Sequence, residues 1–228
     1  MTQPHHRKIR SFVQRAGRTT TAQKRALRDL MPRFGIPFQE NALDLGLVFG
    51  RCAPTVLDIG FGDGSALLTL AANHPDRDYL GVEVHEPGIG HLLLQLQRAG
   101  LDNVRIIPHD AVEVIAHMLP AGKVDAVNLF FPDPWPKKRH HKRRIVQPGF
   151  VRDIARILKC RGTFHVATDW DDYAEHVALV MAGCAQFEAL SPRQASSEPL
   201  FDRPTTKFER RGIALGHRVT DLHFRRVG

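Results

Sequence analysis

The sequence predicts an α/β fold in which a mostly parallel, seven-stranded sheet is covered by helices on both faces. Short apolar segments alternate with helix-like segments from residue 55 onward, and this alternation is typical of parallel strands joined by helical crossovers. A glycine-rich turn follows the first apolar segment, at the edge where open α/β sheets bind ligands. At 228 residues the chain is long enough for one such domain to bury a stable core.

Seven segments have the length and apolar character of strands. They are Thr55–Ile59, Asp78–Val84, Val104–Ile107, Val124–Phe130, Thr163–Ala167, Phe187–Leu190 and Arg218–Arg226. Helices are predicted between them at Ser65–Asn73, Pro87–Ala99, Ala111–Leu119, Phe150–Leu158 and Tyr173–Ala182. The last strand alternates enough to be an edge strand. Two further helices are predicted at Ala22–Leu30 and Lys207–Leu215.

The first 33 residues differ in charge from the rest of the chain. They contain nine Lys or Arg and one acid, Asp29, which leaves 23 residues of each sign in the remainder. The whole net charge of +8 therefore belongs to this segment. We expect residues 1–33 to be a basic, flexible arm and residues 34–228 to form the folded domain. Such an arm suits contact with nucleic-acid phosphates, although a tail that only raises solubility could have the same composition.

Composition disfavours several other classes of protein. No apolar run approaches the roughly eighteen residues of a membrane span, and the start lacks the apolar core of a signal peptide, so a cytoplasmic protein is expected. Cys52, Cys160 and Cys184 are far apart and fit neither a disulfide framework nor a zinc motif. The His5–His6 and His140–His141 pairs lack a third ligand at suitable spacing, so no metal is expected.

The turn after the first strand reads Asp58-Ile59-Gly60-Phe61-Gly62-Asp63-Gly64-Ser65. Its glycines, Gly60, Gly62 and Gly64, allow a sharp bend and a close approach to a ligand. A dinucleotide site would require glycine in place of Ser65, which disfavours a dehydrogenase. The carboxylate of Asp58 suits a cationic amino-acid group better than a pyrophosphate. The turn therefore favours S-adenosylmethionine, in which the ammonium and the sulfonium are both positive.

Two further acids follow the next two strands. Glu83 lies 23 residues after Gly60, where a carboxylate can accept both hydroxyls of a ribose. Asp110 follows the third strand, where it could accept from an adenine amino group or only cap the next helix. Acids at three successive strand ends favour a cofactor site.

A proline-rich, strongly basic segment, FFPDPWPKKRHHKRR, runs from Phe130 to Arg144. Prolines at every second position hold Asp133 and Trp135 on a stiff, extended loop, residues 131–136, which we call the proline loop. Six Lys or Arg and two His then occupy residues 137–144, which we call the basic segment. We interpret the segment as a catalytic loop joined to a polyanion-binding segment; the alternative is a solvated charged turn.

The motifs DIGFGDG, GVEVH, HDAVEV, FFPDPWPKKRHHKRR, ATDW and TKFERRG together resemble the bacterial single-subunit tRNA (guanine-N7-)-methyltransferase family. The resemblance runs from roughly Gly17 to Arg226, and the proline loop with its basic tail makes it specific. It implies a Rossmann-like class I methyltransferase domain, S-adenosylmethionine as cofactor and tRNA as partner, with no obligatory protein partner. The implied product is 7-methylguanosine, at position 46 in the tRNA variable loop.

The resemblance also implies roles for individual residues. With the three glycines, the predicted cofactor contacts are Asp58, Gly60, Gly62, Gly64, Glu83, Asp110 and Asp133, and Asp133 is also the catalytic position. The implied tRNA contacts are Lys137, Arg139, His140, His141, Lys142, Arg143, Arg144, Asp169, Thr206, Lys207, Phe208 and Glu209. The family usually has Glu at the position of Asp58, so a small shift or a bridging water is expected there. Asp169 could instead be a helix cap alone.

The implied reaction needs no general base, because guanine N7 carries a lone pair and no proton. Catalysis would come mainly from proximity and in-line alignment, with electrostatic help as the purine becomes cationic. Asp133 would then position a group and stabilise charge. Phe131 or Trp135 could stack on the flipped base, although loop packing explains Trp135 equally well.

Two other functions stay open at this point. A methyltransferase that acts on a small molecule is disfavoured by the basic segment and the basic arm. A non-catalytic RNA-binding protein is disfavoured because the acids and glycines of the cofactor motifs are intact.

Overall fold

The computed structural model describes residues 10–12, 17–201, 203–205, 209, 216 and 218–228. Seven strands form one sheet: β1 (Thr55–Ile59), β2 (Asp78–Val82), β3 (Val104–Ile107), β4 (Val124–Phe130), β5 (Leu158–Thr168), β6 (Phe187–Leu190) and β7 (Thr220–Arg226). Their order across the sheet is β3-β2-β1-β4-β5-β7-β6. The predicted fold class and the seven-stranded sheet are confirmed.

The helices lie between these strands or before the first of them. They are α1 (Thr21–Phe34), α2 (Leu45–Phe49), α3 (Ser65–Asn73), α4 (Glu86–Ala99), α5 (Ala111–His117), α6 (Pro148–Ile157), α7 (Asp171–Ala182) and α8 (Pro192–Ala195). Short 3₁₀ helices occur at Lys138–Arg143 and Pro199–Phe201. The five crossover helices were all predicted, with ends that differ by at most two residues.

Strands β1 to β5 pair in parallel, and β7 lies antiparallel between β5 and β6. The prediction that the last strand is an edge strand is therefore wrong, since β6 is the edge. The alternation in β7 reflects one buried face, on which Phe224 is 4% exposed. An antiparallel strand in the interior of a sheet shows the same pattern as an edge strand, so the sequence could not separate the two.

Helices cover both faces of the sheet. Successive residues of β1 point to opposite faces, so Val56 and Leu57 belong to different hydrophobic clusters. Helices α1, α3 and α4 pack on the face of Val56, and α5, α6 and α7 pack on the face of Leu57. Complete burial of a Leu or Ile side chain stabilises a fold by about 1.5–3 kcal/mol. The two layers therefore hold the carboxyl ends of β1 to β4 rigidly in place.

Helix α1 corrects the predicted N-terminal boundary. Thr20 and Gln23 form a capping box that starts the helix. Its buried residues are Ala26, Leu30 and Phe34. These side chains join the cluster of α3 and α4, while the charged residues that dominate the composition of the segment stay exposed. Residues 21–33 thus belong to the folded domain, and a separate arm stays a prediction for residues 1–20 alone.

Three remaining features complete the fold. The predicted helix Lys207–Leu215 lies outside the described residues except for Glu209. Cys52, Cys160 and Cys184 are free thiols. Among the helices of the described residues, none combines the length and the apolar character that crossing a membrane requires.

Candidate active site

A cavity of about 330 Å³ opens at the carboxyl ends of β1 to β4. Because β1 lies between β2 and β4, the chain leaves β1 and β4 toward opposite sides and opens a crevice at this edge. The lining includes five of the seven predicted cofactor residues. They are Gly60, Gly62, Glu83, Asp110 and Asp133.

The glycine-rich turn between β1 and α3 adopts a backbone that favours glycine. Gly60, Gly62 and Gly64 have φ of 70°, 62° and 77°. A Cβ on Gly60 would meet no atom within 4 Å, whereas one on Gly64 would come within 2.7 Å of Leu92. Gly60 therefore leaves space free at the cavity wall, and Gly64 allows α3 to pack closely against α4.

The carboxylate of Glu83 ties this turn to the end of β2. Its Oε2 accepts from the backbone N–H of Gly62 at 2.9 Å. Its Oε1 accepts from the backbone N–H groups of Val84 and His85 at 2.7 and 3.0 Å. A carboxylate has about four acceptor positions, so these three bonds fix its orientation and leave capacity for a ligand donor.

Asp58 lies deeper than the other predicted cofactor residues. It is 2% exposed, and it does not itself line the cavity, although Ile59 beside it does. Burial, together with the negative charge of Glu83, raises the pKa of Asp58 to about 7. Asp58 is therefore a buried carboxyl next in sequence to the cavity lining, with a pKa near neutral pH.

Asp110 combines the two roles that the sequence left open. Its side chain accepts from the backbone N–H of Val112 at 3.0 Å and so caps α5. It also lines the cavity, and it lines a second cavity of about 560 Å³ that adjoins the first. The basic residues Lys142, Arg143 and Arg144 line this second cavity. The first cavity, called the cofactor cavity below, and the basic segment are therefore neighbours in space.

The proline loop leaves β4 at the cavity wall. Phe131 and Asp133 line the cavity, and the backbone N–H of Phe131 donates to the carbonyl of Ala167 at 2.8 Å. Phe131 and Trp135 have φ of 52° and 47°, which is uncommon for large side chains. The Trp135 indole N–H donates to the carbonyl of Ser11 at 3.0 Å, which is a packing role. Of the two predicted stacking residues, Phe131 is the one that lines the cavity.

The basic segment presents most of its charge to solvent. Its exposed cations are Lys137, Lys138, Arg139, Lys142 and Arg143. His140 and His141 are half-buried, and the Arg143 guanidinium lies 4.9 Å from the Trp135 ring centroid. The surface beside the cavity is therefore a row of cations without an acid among them.

Arg144 differs from the other cations of the basic segment in its burial, and its tRNA contact stays a prediction. Its side chain is 1% exposed, and its guanidinium donates to the carbonyl of Pro134 at 2.9 Å and to the carboxylate of Asp172. The guanidinium also lies 5.2 Å from the Tyr173 ring centroid. Protein partners therefore hold the guanidinium, whereas the other five cations of the segment face solvent. The residue composition could not reveal this, because nothing in the run of cations distinguishes Arg144.

The remaining predicted tRNA contacts lie on two other segments. Asp169 is half-buried between β5 and α7, and the N-cap position of α7 is Trp170 rather than Asp169. Glu209 is 8% exposed and accepts from the guanidinium of Arg203 at 2.5 and 3.0 Å. Residues 206–208 lie outside the described residues, so Thr206, Lys207 and Phe208 stay predictions.

Comparison with known proteins assigns the family. A family model described as a methyltransferase matches residues 52–222. A tRNA (guanine-N(7)-)-methyltransferase of Halorhodospira halophila is 54% identical over 99% of this chain and 97% of its own length. That of Alkalilimnicola ehrlichii is also 54% identical, over 96% of this chain and 93% of its own length. The protein belongs to this family.

Solved structures of methyltransferases share the fold of this family member. The 16S rRNA methyltransferase KamB superimposes with a TM-score of 0.57 at 17% identity, over 83% of this chain and 96% of its own. TrmN from Thermus thermophilus gives 0.54 at 14% identity, over 90% of this chain and 48% of its own. At these identities the likeness shows the architecture alone, a Rossmann-like sheet with helices on both faces.

One cluster in the described part of this methyltransferase was not foreseen. His165, Asp221 and His223 place potential ligand atoms within 4.8 Å of one another, a different set from the two His pairs considered above. Arg203 already supplies a cation to both oxygens of Asp221, at 2.8 and 3.0 Å. Burial and the neighbouring His165 lower the pKa of His223 to about 4. Burial also lowers the pKa of His165. The cluster therefore consists of two imidazoles with lowered pKa values beside an Arg–Asp ion pair.

Sequence reasoning also missed residues that shape the cavity. Ser11 and Phe12 line both cavities, although they lie in the segment expected to be flexible. The Arg203 guanidinium lies 5.7 Å from the ring centroids of both Phe130 and Phe131, at the start of the proline loop. The only signal for Arg203 was its place just before the TKFERRG motif, and Ser11 and Phe12 gave none.

Proposed function

We propose that the protein transfers a methyl group from S-adenosylmethionine to N7 of a guanosine in tRNA and forms 7-methylguanosine. The observation that carries this proposal is the position of Asp133. Its carboxylate lines the cofactor cavity, and it stands at the start of the loop that presents the exposed cations. A cofactor cavity and a polyanion-binding surface therefore meet at one carboxylate.

The residues of the cavity fit S-adenosylmethionine. The bound cofactor supplies an electrophilic methyl group on a cationic sulfonium. Glu83 has capacity for a ribose hydroxyl, and Asp110 lies where the adenine edge can be recognised. Space at Gly60 accepts the methionine part close to the backbone, while the ionised form of Asp58 would attract its ammonium.

The chain's own contribution to methyl transfer is alignment and charge. The N7 lone pair forms the new C–N bond as the C–S bond breaks, and the bonding electrons leave with sulfur as a neutral thioether. No proton moves, so Asp133 needs only to orient the guanine edge and to stabilise the positive charge that develops on the purine. Phe131, at the cavity, offers a face on which the base can stack.

The exposed cations of the basic segment would neutralise tRNA phosphates next to the cavity. We propose that the methylated guanosine lies at position 46 in the variable loop, as the sequence resemblance implies. We also propose that the protein acts alone, without a metal, in the cytoplasm where tRNA is found.

Nucleoside analysis by mass spectrometry tests the proposal. Unmodified tRNA is incubated with the protein and S-adenosylmethionine, and an Asp133→Asn variant serves as the control. We expect 7-methylguanosine with the wild-type protein and far less with the variant. A methyl group on another atom or base, or methylation of small molecules but not of tRNA, would contradict the proposed function.

A further inference from the structure

Arg144 is the buried cation of the basic segment. The five Lys and Arg at positions 137, 138, 139, 142 and 143 are exposed, whereas the Arg144 side chain is 1% exposed. A guanidinium removed from water destabilises the fold unless hydrogen bonds and an opposite charge compensate for the missing hydration. The hydrogen-bond and charge partners of Arg144 therefore indicate its role.

Those partners lie on the proline loop, at the start of α7 and within the basic segment itself. Nε donates to the carbonyl of Pro134 at 2.9 Å, directly after Asp133. One terminal nitrogen donates to the Asp172 carboxylate and lies 3.1 Å from Nε2 of His141. Because a guanidinium has no acceptor, His141 accepts in this contact. Arg144 thus joins the proline loop to Asp172 in the first turn of α7, three residues after Asp169.

The proline loop needs such a support. Phe131 and Trp135, on either side of Asp133, both have positive φ, and such conformations persist only where the surroundings enforce them. The carbonyl of Pro134 lies between these two residues and accepts from Arg144. A fixed carbonyl at this point holds the peptide that carries Asp133.

We infer that Arg144 is a positioning residue, which fixes the Asp133 carboxylate at the cofactor cavity relative to Asp169 and does not contact tRNA phosphate. The inference rests on the proposed function only for its kinetic consequence. The guanidinium restrains the loop whether or not a substrate is bound. A displacement of about 1 Å at such a site can reduce a rate by roughly 10²-fold.

Arg144→Gln and Lys142→Gln form a matched pair, since each removes one positive charge from the same segment. For Arg144→Gln we expect the single-turnover rate at saturating tRNA and cofactor to fall about 10- to 100-fold, with KM for tRNA and its salt dependence unchanged. For Lys142→Gln we expect the opposite pattern, a higher KM for tRNA and a log–log salt slope that is smaller by about 0.7–0.9, because its exposed ammonium would contact phosphate. An equally reduced slope in Arg144→Gln, or a wild-type rate, would overturn the inference.

Asp172→Asn provides a second test that leaves no buried cavity, because the Asp172 side chain is 57% exposed. We expect a smaller fall in rate in the same direction, and little further decrease when it is added to Arg144→Gln, because both changes break the same ion pair. Arg144→Lys should restore part of the rate, since an ammonium can reach only one of the two partners. Additive decreases, or a Lys variant no better than Gln, would contradict the positioning role.

Limited trypsin digestion of the protein without substrates separates this inference from the proposed function. If Arg144 restrains the loop, Arg144→Gln should be cleaved several-fold faster at residues 137–139 than either the wild type or Lys142→Gln. This result would hold even if the substrate were not tRNA. Equal cleavage rates in all three proteins, with cooperative thermal unfolding confirmed for each, would refute the restraint.

Discussion

Asp133 is the residue at which two catalytic roles can be separated. If it orients guanine and stabilises positive charge, Asp133→Asn keeps its shape and loses its charge. The turnover rate should then fall roughly 10²–10³-fold, which corresponds to a loss of about 2.7–4 kcal/mol of transition-state stabilisation. The affinity for tRNA should stay unchanged. Single-turnover rates and a tRNA titration of the two proteins measure this.

The pH dependence of the same reaction distinguishes a positioning group from a base. Since N7 has no proton to give, the wild-type single-turnover rate at saturating cofactor and tRNA should be nearly flat from pH 6 to 9. A log-linear rise through neutral pH that the Asn variant lacks would assign Asp133 as a general base and contradict the mechanism.

Asp58 gives the protein a predictable pH dependence of stability. Its pKa is raised to about 7, mainly by burial, from an ordinary value near 3.8. The folded state therefore binds the proton more tightly than the unfolded state. The resulting stability is complete below about pH 4 and is lost as pH rises through about 7.

The Asp58→Asn variant should remove this dependence. Without cofactor, the wild-type free energy of unfolding should fall relative to the variant by about 2 kcal/mol between pH 5 and pH 7, since one pKa unit corresponds to about 1.4 kcal/mol. Denaturant unfolding across this range measures it, with Glu40→Gln, an exposed carboxylate, as the control. A constant difference between the wild type and Asp58→Asn would show that Asp58 does not titrate there.

The 3₁₀ segment Lys138–Arg143 is the element that should dominate the salt dependence of tRNA binding. Changing Arg139, Lys142 and Arg143 to Gln should weaken binding and lower the log–log salt slope by about 0.7–0.9 for each phosphate that is no longer neutralised. Cofactor affinity should change little, because the cavity carboxylates stay in place. Binding titrations from about 50 to 300 mM salt test this, and an unchanged slope would mean that these cations do not touch phosphate.

The sequence predicts elements well where the pattern is local. Strands β1, β3, β4 and β6 begin and end where predicted, because short apolar runs bounded by turn residues define them. The position of β7 depends on pairing between distant segments, which its own alternation does not encode. The predicted helix Ala22–Leu30 is shorter than α1, because the buried side chains of α1 are few among many charges.

The site shows the same division between local and distant information. The glycine turn, Glu83 and Asp110 were predicted at the cavity because carboxyl ends of neighbouring parallel strands meet at one edge. The burial of Arg144 depends on Asp172, 28 residues away, and the hydrogen bond of Trp135 with Ser11 spans 124 residues. Such interactions follow from the folded path and leave no mark in the local sequence.

On the scale of the whole molecule, the first 34 residues consist of a charged part and a part that contributes to the hydrophobic core. Residues 1–19 contain five Lys or Arg and no acid, whereas residues 20–34 include the cap and the buried face of α1. Electrostatic steering acts over about 8 Å at physiological salt, so charge in the first part can speed tRNA association. The second part supports the core beside α4.

Two deletions should therefore have different effects. Removal of residues 1–19 should leave thermal unfolding cooperative, with a lower rate of tRNA association at low salt. Removal of residues 1–34 should lower the unfolding midpoint strongly or abolish folding, because Ala26, Leu30 and Phe34 leave the core. The deletion of residues 1–19 also removes Ser11 and Phe12, which line the cavities. A full-length variant in which Arg7, Lys8, Arg10, Arg15 and Arg18 are changed to Gln removes the charge and keeps these two residues. If electrostatic steering explains the slower association, this variant should bind tRNA at the same rate as the 1–19 deletion and keep the wild-type affinity for the cofactor. If both proteins associate with tRNA at the wild-type rate, the charge of this segment has no role in tRNA capture.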